Sequence, residues 1–160
     1  MKGPARSSEL LFRRARPEEG PAIRELVFSI LRDNNLPTDD HTDADLDDIY
    51  GHYFAKGGSF RVLTTIDGTI VGSVGLKPVD KQTVELRKMY LLPAYRGQRH
   101  GKRMLDWALT RARELGFKRI TLETASVLKE AIALYTSHGF RVYEGEKCAA
   151  RCDLTMEINL

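Results

Sequence analysis

Tyr95-Arg96-Gly97-Gln98-Arg99-His100-Gly101-Lys102-Arg103-Met104-Leu105 carries a short basic loop into a segment with helical apolar spacing, just after a strand pattern at residues 83–91. A helix that opens there leaves its first amide N–H groups unpaired and carries about half a positive charge, so it satisfies a phosphate or pyrophosphate. Glycine at 97 and 101 lets the backbone approach such a group closely. The loop is not a Walker P-loop. Gly97 and Gly101 are too close together, and Arg103 stands where Ser or Thr would hold Mg²⁺.

Downstream, Arg99 to Leu115 reads as a helix burying Met104, Leu105, Ala108, Ala112 and Leu115, with Gly116 as its stop. Lys118 to Glu123 reads as a strand and Val127 to His138 as a helix ended by Gly139. Phe140 to Gly145 and Arg151 to Ile158 read as closing strands. Upstream, residues 83–91 form the strand that feeds the loop. Phe60 to Ile66 and Thr69 to Leu76 make a hairpin across Asp67-Gly68.

The segment from Thr42 or Asp43 predicts a second helix, with Leu46, Ile49, Tyr50, Tyr53 and Phe54 on one face and Gly57-Gly58 as its stop. Helix caps and a solvated first turn account for most of its acids, Asp39, Asp40, Asp43, Asp45, Asp47 and Asp48. A first helix starts near Arg16-Pro17-Glu18-Glu19 and carries Ile23, Leu26, Val27, Ile30 and Leu31. Leu10 to Ala15 is a first strand. Residues 1–8 are polar and basic and are expected to be a disordered tail, leaving 9–160 as a single domain. The order β-α-α-β-β-β-α-β-α-β-β predicts a mixed α/β sheet with helices on its faces.

At 160 residues, with 42% hydrophobic and 29% charged, the chain fits one core. No apolar run approaches the roughly 18 to 20 residues of a membrane helix, and Met1 to Ser8 lacks the apolar centre of a signal peptide. A cytoplasmic protein with no membrane partner is expected. Cys148 and Cys152 have no second Cys or His pair at zinc spacing, so they read as ordinary thiols in late strands and no metal is implied. The net charge of +3 gathers between Arg96 and Arg119, too locally to imply a nucleic-acid partner.

At the loop the chain resembles the GCN5-related N-acetyltransferase (GNAT) superfamily, whose cofactor loop reads Arg/Gln-x-x-Gly-x-Gly/Ala between a strand and a helix. Arg96 and Gly101 match the outer positions, while Arg99 replaces the middle glycine. Val84 to Pro93 resembles the family's central strand and the turn after it. Ala131 to Phe140, with Tyr135 ahead of Gly139-Phe140, resembles its last helix. The resemblance spans residues 82–146 and implies the GNAT fold, a mixed central sheet of about seven strands flanked by about four helices.

It also implies acetyl-CoA as cosubstrate and direct transfer of its acetyl group to a primary amine, by base rate that of a small molecule, in a monomer or homodimer. The alternatives are a protein N-terminal acetyltransferase and a non-catalytic acyl-CoA-binding sensor or interaction domain. In the family the pantetheine arm pairs with the end of the central strand, here Met89, Tyr90 and Leu91. The pyrophosphate falls on the loop, here Arg96, Gly97, Gln98, Arg99, His100, Gly101 and Lys102. His100 reads as a solvated loop histidine. A guanidinium at 99 must point away from the pyrophosphate and is placed to reach the cofactor's 3′-phosphate.

Tyr135 matches the tyrosine that protonates the leaving thiolate. Two carboxylates match base positions from different branches. Glu85, eleven residues before Arg96, matches the histone-acetylating branch, and Glu123 matches the branch acting on ribosomal-protein N-termini. Each also reads as a structural ion-pair partner, Glu85 for Arg87 or Lys88 and Glu123 for Lys118 or Arg119. Leu128 stands where many relatives place a pantetheine-binding asparagine. His41 and His52 fall on the expected acceptor side.

Overall fold

A computed structural model describes residues 9–146 and 149–160. The tail expected at 1–8 and Cys148 lie outside the described residues. One sheet of seven strands runs in the order β1 (Leu11–Arg14), β2 (Ser59–Thr64), β3 (Ile70–Pro78), β4 (Thr83–Leu91), β5 (Arg119–Thr124), β7 (Leu154–Asn159), β6 (Arg141–Val142). Neighbours are antiparallel except β4 and β5. Helix α1 (Gly20–Asp33) packs on one face through Ile23, Val27 and Leu31. Helices α3 (His100–Glu114) and α4 (Lys129–Ser137) cover the other, where Met104, Leu105 and Ala108 meet Val84, Leu86 and Ile120. No helix of the described residues is long and apolar enough to cross a membrane.

The elements follow the local chemistry. Gly68, in the left-handed region at φ 94°, closes the β2–β3 hairpin as the Asp-Gly pair predicts. Gly116 at φ 91° ends α3 and Gly139 at φ 101° ends α4, both as predicted. The last two strands are shorter than predicted, β6 reduced to two exposed residues.

The predicted second helix is a correction. The segment breaks into a 3-10 turn (Ala44–Asp47), a single α turn α2 (Ile49–His52) and another 3-10 turn (Phe54–Lys56). Asp48, at φ −150° and ψ 81°, interrupts the helix and caps its second piece by accepting from the Gly51 amide at 2.9 Å. Tyr50 is thereby left exposed rather than in the core. Most of the acids, Asp39, Asp40, Asp47 and Asp48, are exposed as expected, and two are not. Asp39 does act locally, accepting from the His41 amide and the Thr42 hydroxyl, but Asp43 and Asp45 are buried.

Those two carboxylates face a bulge in β4. Pairing steps from Gly75↔Arg87 to Ser73↔Tyr90, so two residues of β3 span three of β4. Lys88 takes φ 54°, a left-handed conformation that costs a non-glycine residue about 1–2 kcal/mol. Several contacts hold it there. The Ser73 hydroxyl donates to the Lys88 carbonyl at 2.6 Å, and the Lys88 ammonium sits 3.0 Å from Asp43 and 3.3 Å from Asp45. Arg151, from the loop before β7, closes the cluster with two bonds to Asp43 at 2.8 and 3.0 Å.

Burial alone would raise the Asp43 carboxyl pKa, but the Arg151 hydrogen bonds and the Lys88 charge win and hold it well below the usual range. Its stabilising contribution is therefore fully present above the unfolded pKa of about 4 and is lost as pH falls below that. Asp43→Ala leaves Arg151 without its carboxylate and Lys88 with Asp45 alone. The expected cost is about 3–5 kcal/mol in urea unfolding at pH 7, shrinking as the pH is lowered through the acid range; a loss that is the same at every pH would contradict the cluster's role.

Candidate active site

β4 and β5 pair only over Thr83–Glu85 and Arg119–Thr121, although both strands run on. Beyond Glu85 they part, and the edge of β4 that faced β5 is left open. Two cavities occupy the gap. The first, of about 490 Å³, is bounded by Met89, Tyr90 and Leu91 on β4, by Arg96, Gly97, Arg99, Gly101 and Lys102, and by the first turns of α4. The second, of about 420 Å³, lies on the α1 side of β4. Met89, Tyr90, Leu128, Ala131 and Tyr135 border both, so the two meet at one junction.

The first cavity has the makings of an anion site at its outer end. The first intrahelical bond of α3 runs from the Arg103 amide to the Arg99 carbonyl at 3.0 Å, which leaves the amides of His100, Gly101 and Lys102 ahead of it without helical partners. A Cβ on Gly101 would lie 3.1 Å from Leu134, so its absence lets α3 and α4 approach. Arg99 takes φ 67° and Gly97 φ 76°. Arg99 thus adopts the left-handed backbone that the glycine of the resembled motif takes freely. The loop keeps its path despite the substitution.

Two of the expected loop residues lie outside this lining. Gln98 and His100 do not line the cavity. His100 is 3% exposed rather than solvated, because it is the first residue of α3 and turns inward. Burial and the neighbouring Arg103 charge push its imidazole down, which favours the neutral form. The other cofactor-side residues, Met89, Tyr90, Leu91, Arg96, Gly97, Arg99, Gly101 and Lys102, all line it.

Tyr135 stands at the junction, 5% exposed, with its ring 5.7 Å from Phe140. Its hydroxyl has no protein hydrogen-bond partner among the described residues, and burial pushes its pKa well up, so it stays protonated at working pH. Tyr90 faces it from β4; burial pushes its phenol up to about 12, against a pull from Arg151. The side chains of Tyr90, Lys88 and Arg151 were missed in the sequence.

Both candidate bases line the second cavity. Glu85 lies 3.4 Å from Arg87, one of its two expected partners, yet burial outweighs that pair and Glu123 adds to it, so its carboxyl is raised. Glu123 does not pair with Arg119, which turns to Glu157 at 2.6 Å; it accepts the Ala149 amide at 3.4 Å. His41 and His52 also line this cavity. Cys152 does too, from a loop rather than the expected strand, its thiol pushed up to about 11 first by burial and then by Glu123.

The arrangement offers one groove with an anion-binding end, a second cavity with carboxylates, and a protonated phenol where they meet. The model of the Acetyltransferase (GNAT) family matches residues 24–140. The uncharacterized N-acetyltransferase YjgM of Escherichia coli is 38% identical over 136 residues, 81% of each chain. Other curated relatives are longer proteins, of which the chain spans about half. An acetyltransferase of the GNAT family from Staphylococcus aureus superposes with a TM-score of 0.88 at 24% identity, over 94% of this chain and 98% of that one. The structure of yncA from Salmonella typhimurium with its cofactor acetyl-CoA superposes with a TM-score of 0.72 at 23% identity, over 94% of each chain.

Because Arg99 holds a glycine-like backbone, Arg99→Gly is expected to raise stability by about 1 kcal/mol, whereas Arg99→Ala, which keeps the Cβ strain, gives no such gain. Thermal unfolding of the two variants side by side measures the difference, and equal midpoints would contradict the strain assigned to this position.

Proposed function

We propose that this chain, which belongs to the acetyltransferase (GNAT) family, transfers the acetyl group of acetyl-CoA to the primary amine of a small molecule by direct attack. The observation that carries the reading is the junction itself. A single opening between β4 and β5 joins an anion-binding groove to a carboxylate-bearing cavity, and Tyr135 stands where the two meet. A domain that only bound the cosubstrate would need the groove but not the second cavity.

Residues 96–102 and the start of α3 hold the pyrophosphate, chiefly through backbone amides, with Arg99 and Lys102 as flanking cations. The open edge of Met89–Leu91 takes the pantetheine arm as an extra strand would be taken. The cosubstrate supplies an acetyl thioester at the junction. The bulged backbone at Lys88–Met89 presents main-chain N–H toward the thioester carbonyl, where negative charge develops. Leu128 offers only backbone and apolar contact where an asparagine is common.

Glu85 takes the proton of the incoming ammonium through solvent in the cavity, with Glu123 as the second carboxylate of the same cavity. The neutral amine attacks the carbonyl carbon, the C–S bond breaks, the thiolate takes a proton from Tyr135, and the proton lost by the new amide nitrogen returns to the phenolate through solvent. Much of the rate is positioning, since both reactants converge on one junction. The acceptor enters from the second cavity. A protein N-terminus has no specific observation in its favour.

Acetyl-CoA at about 100 times its dissociation constant should stabilise the fold by roughly 2.7 kcal/mol in a thermal-shift titration, and no response at millimolar concentration would overturn the reading. Thiol release against a panel of amines then measures turnover. Tyr135→Phe should lower kcat by about 10²-fold with little change in cofactor affinity.

For Glu85 the raised pKa fixes the sign of two effects. The rate should rise with pH through a value above the ordinary glutamate range, and Glu85→Gln should abolish that limb. The folded state binds this proton more tightly than the unfolded chain, so stability from this group falls as pH rises through the folded pKa. Glu85→Gln should therefore raise the thermal midpoint at pH 7 while it lowers the rate. If Glu123→Gln removes the limb instead, the order of the two carboxylates is reversed.

A further inference from the structure

The acceptor cavity has two unlike ends. One is the junction at Tyr90 and Tyr135. At the other, Lys77 on β3 stands opposite Glu85 on β4, and Gly75 opposite Arg87, so Lys77, Glu85 and Arg87 share one face of the sheet and line the same cavity. The cations between the ends are paired. Lys88 and Arg151 are closed around Asp43, and Arg87 lies 3.4 Å from Glu85 and 3.8 Å from Asp45.

Lys77 is the exception. No carboxylate lies within ion-pair distance of its ammonium among the described residues, although Glu85 and Asp45 attract it from further off. Burial first, and then the positive Arg87, push its pKa down, so this cation is held half-buried beside another cation. Partly buried and without a close carboxylate, its ammonium is placed to receive one from a ligand in the cavity.

Resting on the acetyl-transfer reading above, we propose that the acceptor carries a carboxylate as well as the reacting amine, and that Lys77, with Arg87 beside it, binds that carboxylate. Geometry also limits the spacing of the two groups. From the Lys77–Glu85 pair to Tyr90 the backbone advances about four strand steps of roughly 3.3 Å, of which the lysine side chain covers only part. An α-amino acid is too short to place its nitrogen at the junction and its own carboxylate on Lys77. The fitting class is an amine whose carboxylate lies several bonds away, as in a dipeptide or an ω-amino acid.

The test compares matched pairs in the thiol-release assay: glycine, γ-aminobutyrate, 6-aminohexanoate and glycylglycine, each against its amide. The expected result is a preference of about tenfold in kcat/KM for the acid over the amide, the scale of one charge-assisted hydrogen bond, present for the longer acceptors and absent for glycine. Lys77→Met should reduce that ratio several-fold, Lys77→Arg should keep most of it, and Lys77→Glu should shift preference toward diamines. A ratio is insensitive to general loss of folded protein, so a poorly stable variant still reports.

A wild-type enzyme that prefers the amides, or a preference that Lys77→Met leaves intact, overturns the proposal. If no amine releases thiol, the acetyl-transfer reading fails by itself. Calorimetric binding of glycylglycine against its amide, to the protein saturated with CoA, then decides the charge preference: tighter binding of the acid that Lys77→Met abolishes upholds the Lys77 site, and equal binding overturns it.

Discussion

The bulge in β4 is the constraint on which the site depends. In a regular strand side chains alternate, and Val84 and Leu86 point to the α3 side. Continued alternation would send Lys88 and Tyr90 after them, into the apolar layer under α3, and would turn Met89 and Leu91 toward the acceptor side. The extra residue reverses this. Arg87 and Lys88 both reach Asp45, Tyr90 packs with the α1 layer, and Met89 and Leu91 join the α3 layer. One residue of slip flips the face of everything beyond it. Glu85, Arg87, Lys88 and Tyr90 thereby border a single cavity, and the chemistry is gathered on one side of one strand.

A left-handed lysine and a buried ion cluster are costly ways to hold a bulge, and a glycine at 88 would adopt the backbone freely. What glycine lacks is the ammonium. Through it, Asp43 and Asp45 tie the segment before α2 to β4, and through Arg151 Asp43 also ties the loop before β7 to both. Three segments remote in sequence are fixed around the second cavity by one group of charges. Buried ion pairs contribute little net stability compared with apolar packing; here the return is position. Glu85 is raised in the same wall because its burial outweighs the pull of Arg87, and Glu123 adds to the rise.

The cavity at the loop was legible in the sequence and the charged cavity on the α1 side was not. Met89 to Leu91, Arg96, Gly97, Gly101 and Tyr135 line it from a strand end, a helix start and a helix stripe, and each of these has a local signature in apolar spacing, glycine placement or a stop signal. Asp43 and Asp45 had no such signature, because a run of aspartates before a helix reads as caps and solvated charge. Their burial follows from Lys88 and Arg151, which lie 43 and 106 residues beyond Asp45. His100 failed for a related reason. A polar residue in a basic loop reads as solvated until the helix start turns it inward.

The bulge itself left one trace in the sequence, visible only in retrospect. In the run Val84-Glu85-Leu86-Arg87-Lys88-Met89-Tyr90-Leu91, apolar residues alternate with polar ones up to Leu86, and the alternation then breaks with Arg87 and Lys88 side by side before it resumes out of phase. Two adjacent charges at a phase break are what a bulge requires when both side chains must face the same polar layer. A lysine at such a break implies acids elsewhere to receive it, since an unpaired buried ammonium would not survive. The aspartate-rich segment ahead of α2 is the place in this chain that supplies them. The phase of one strand thus encodes which remote segment must fold against it, and with that, where the charged cavity lies.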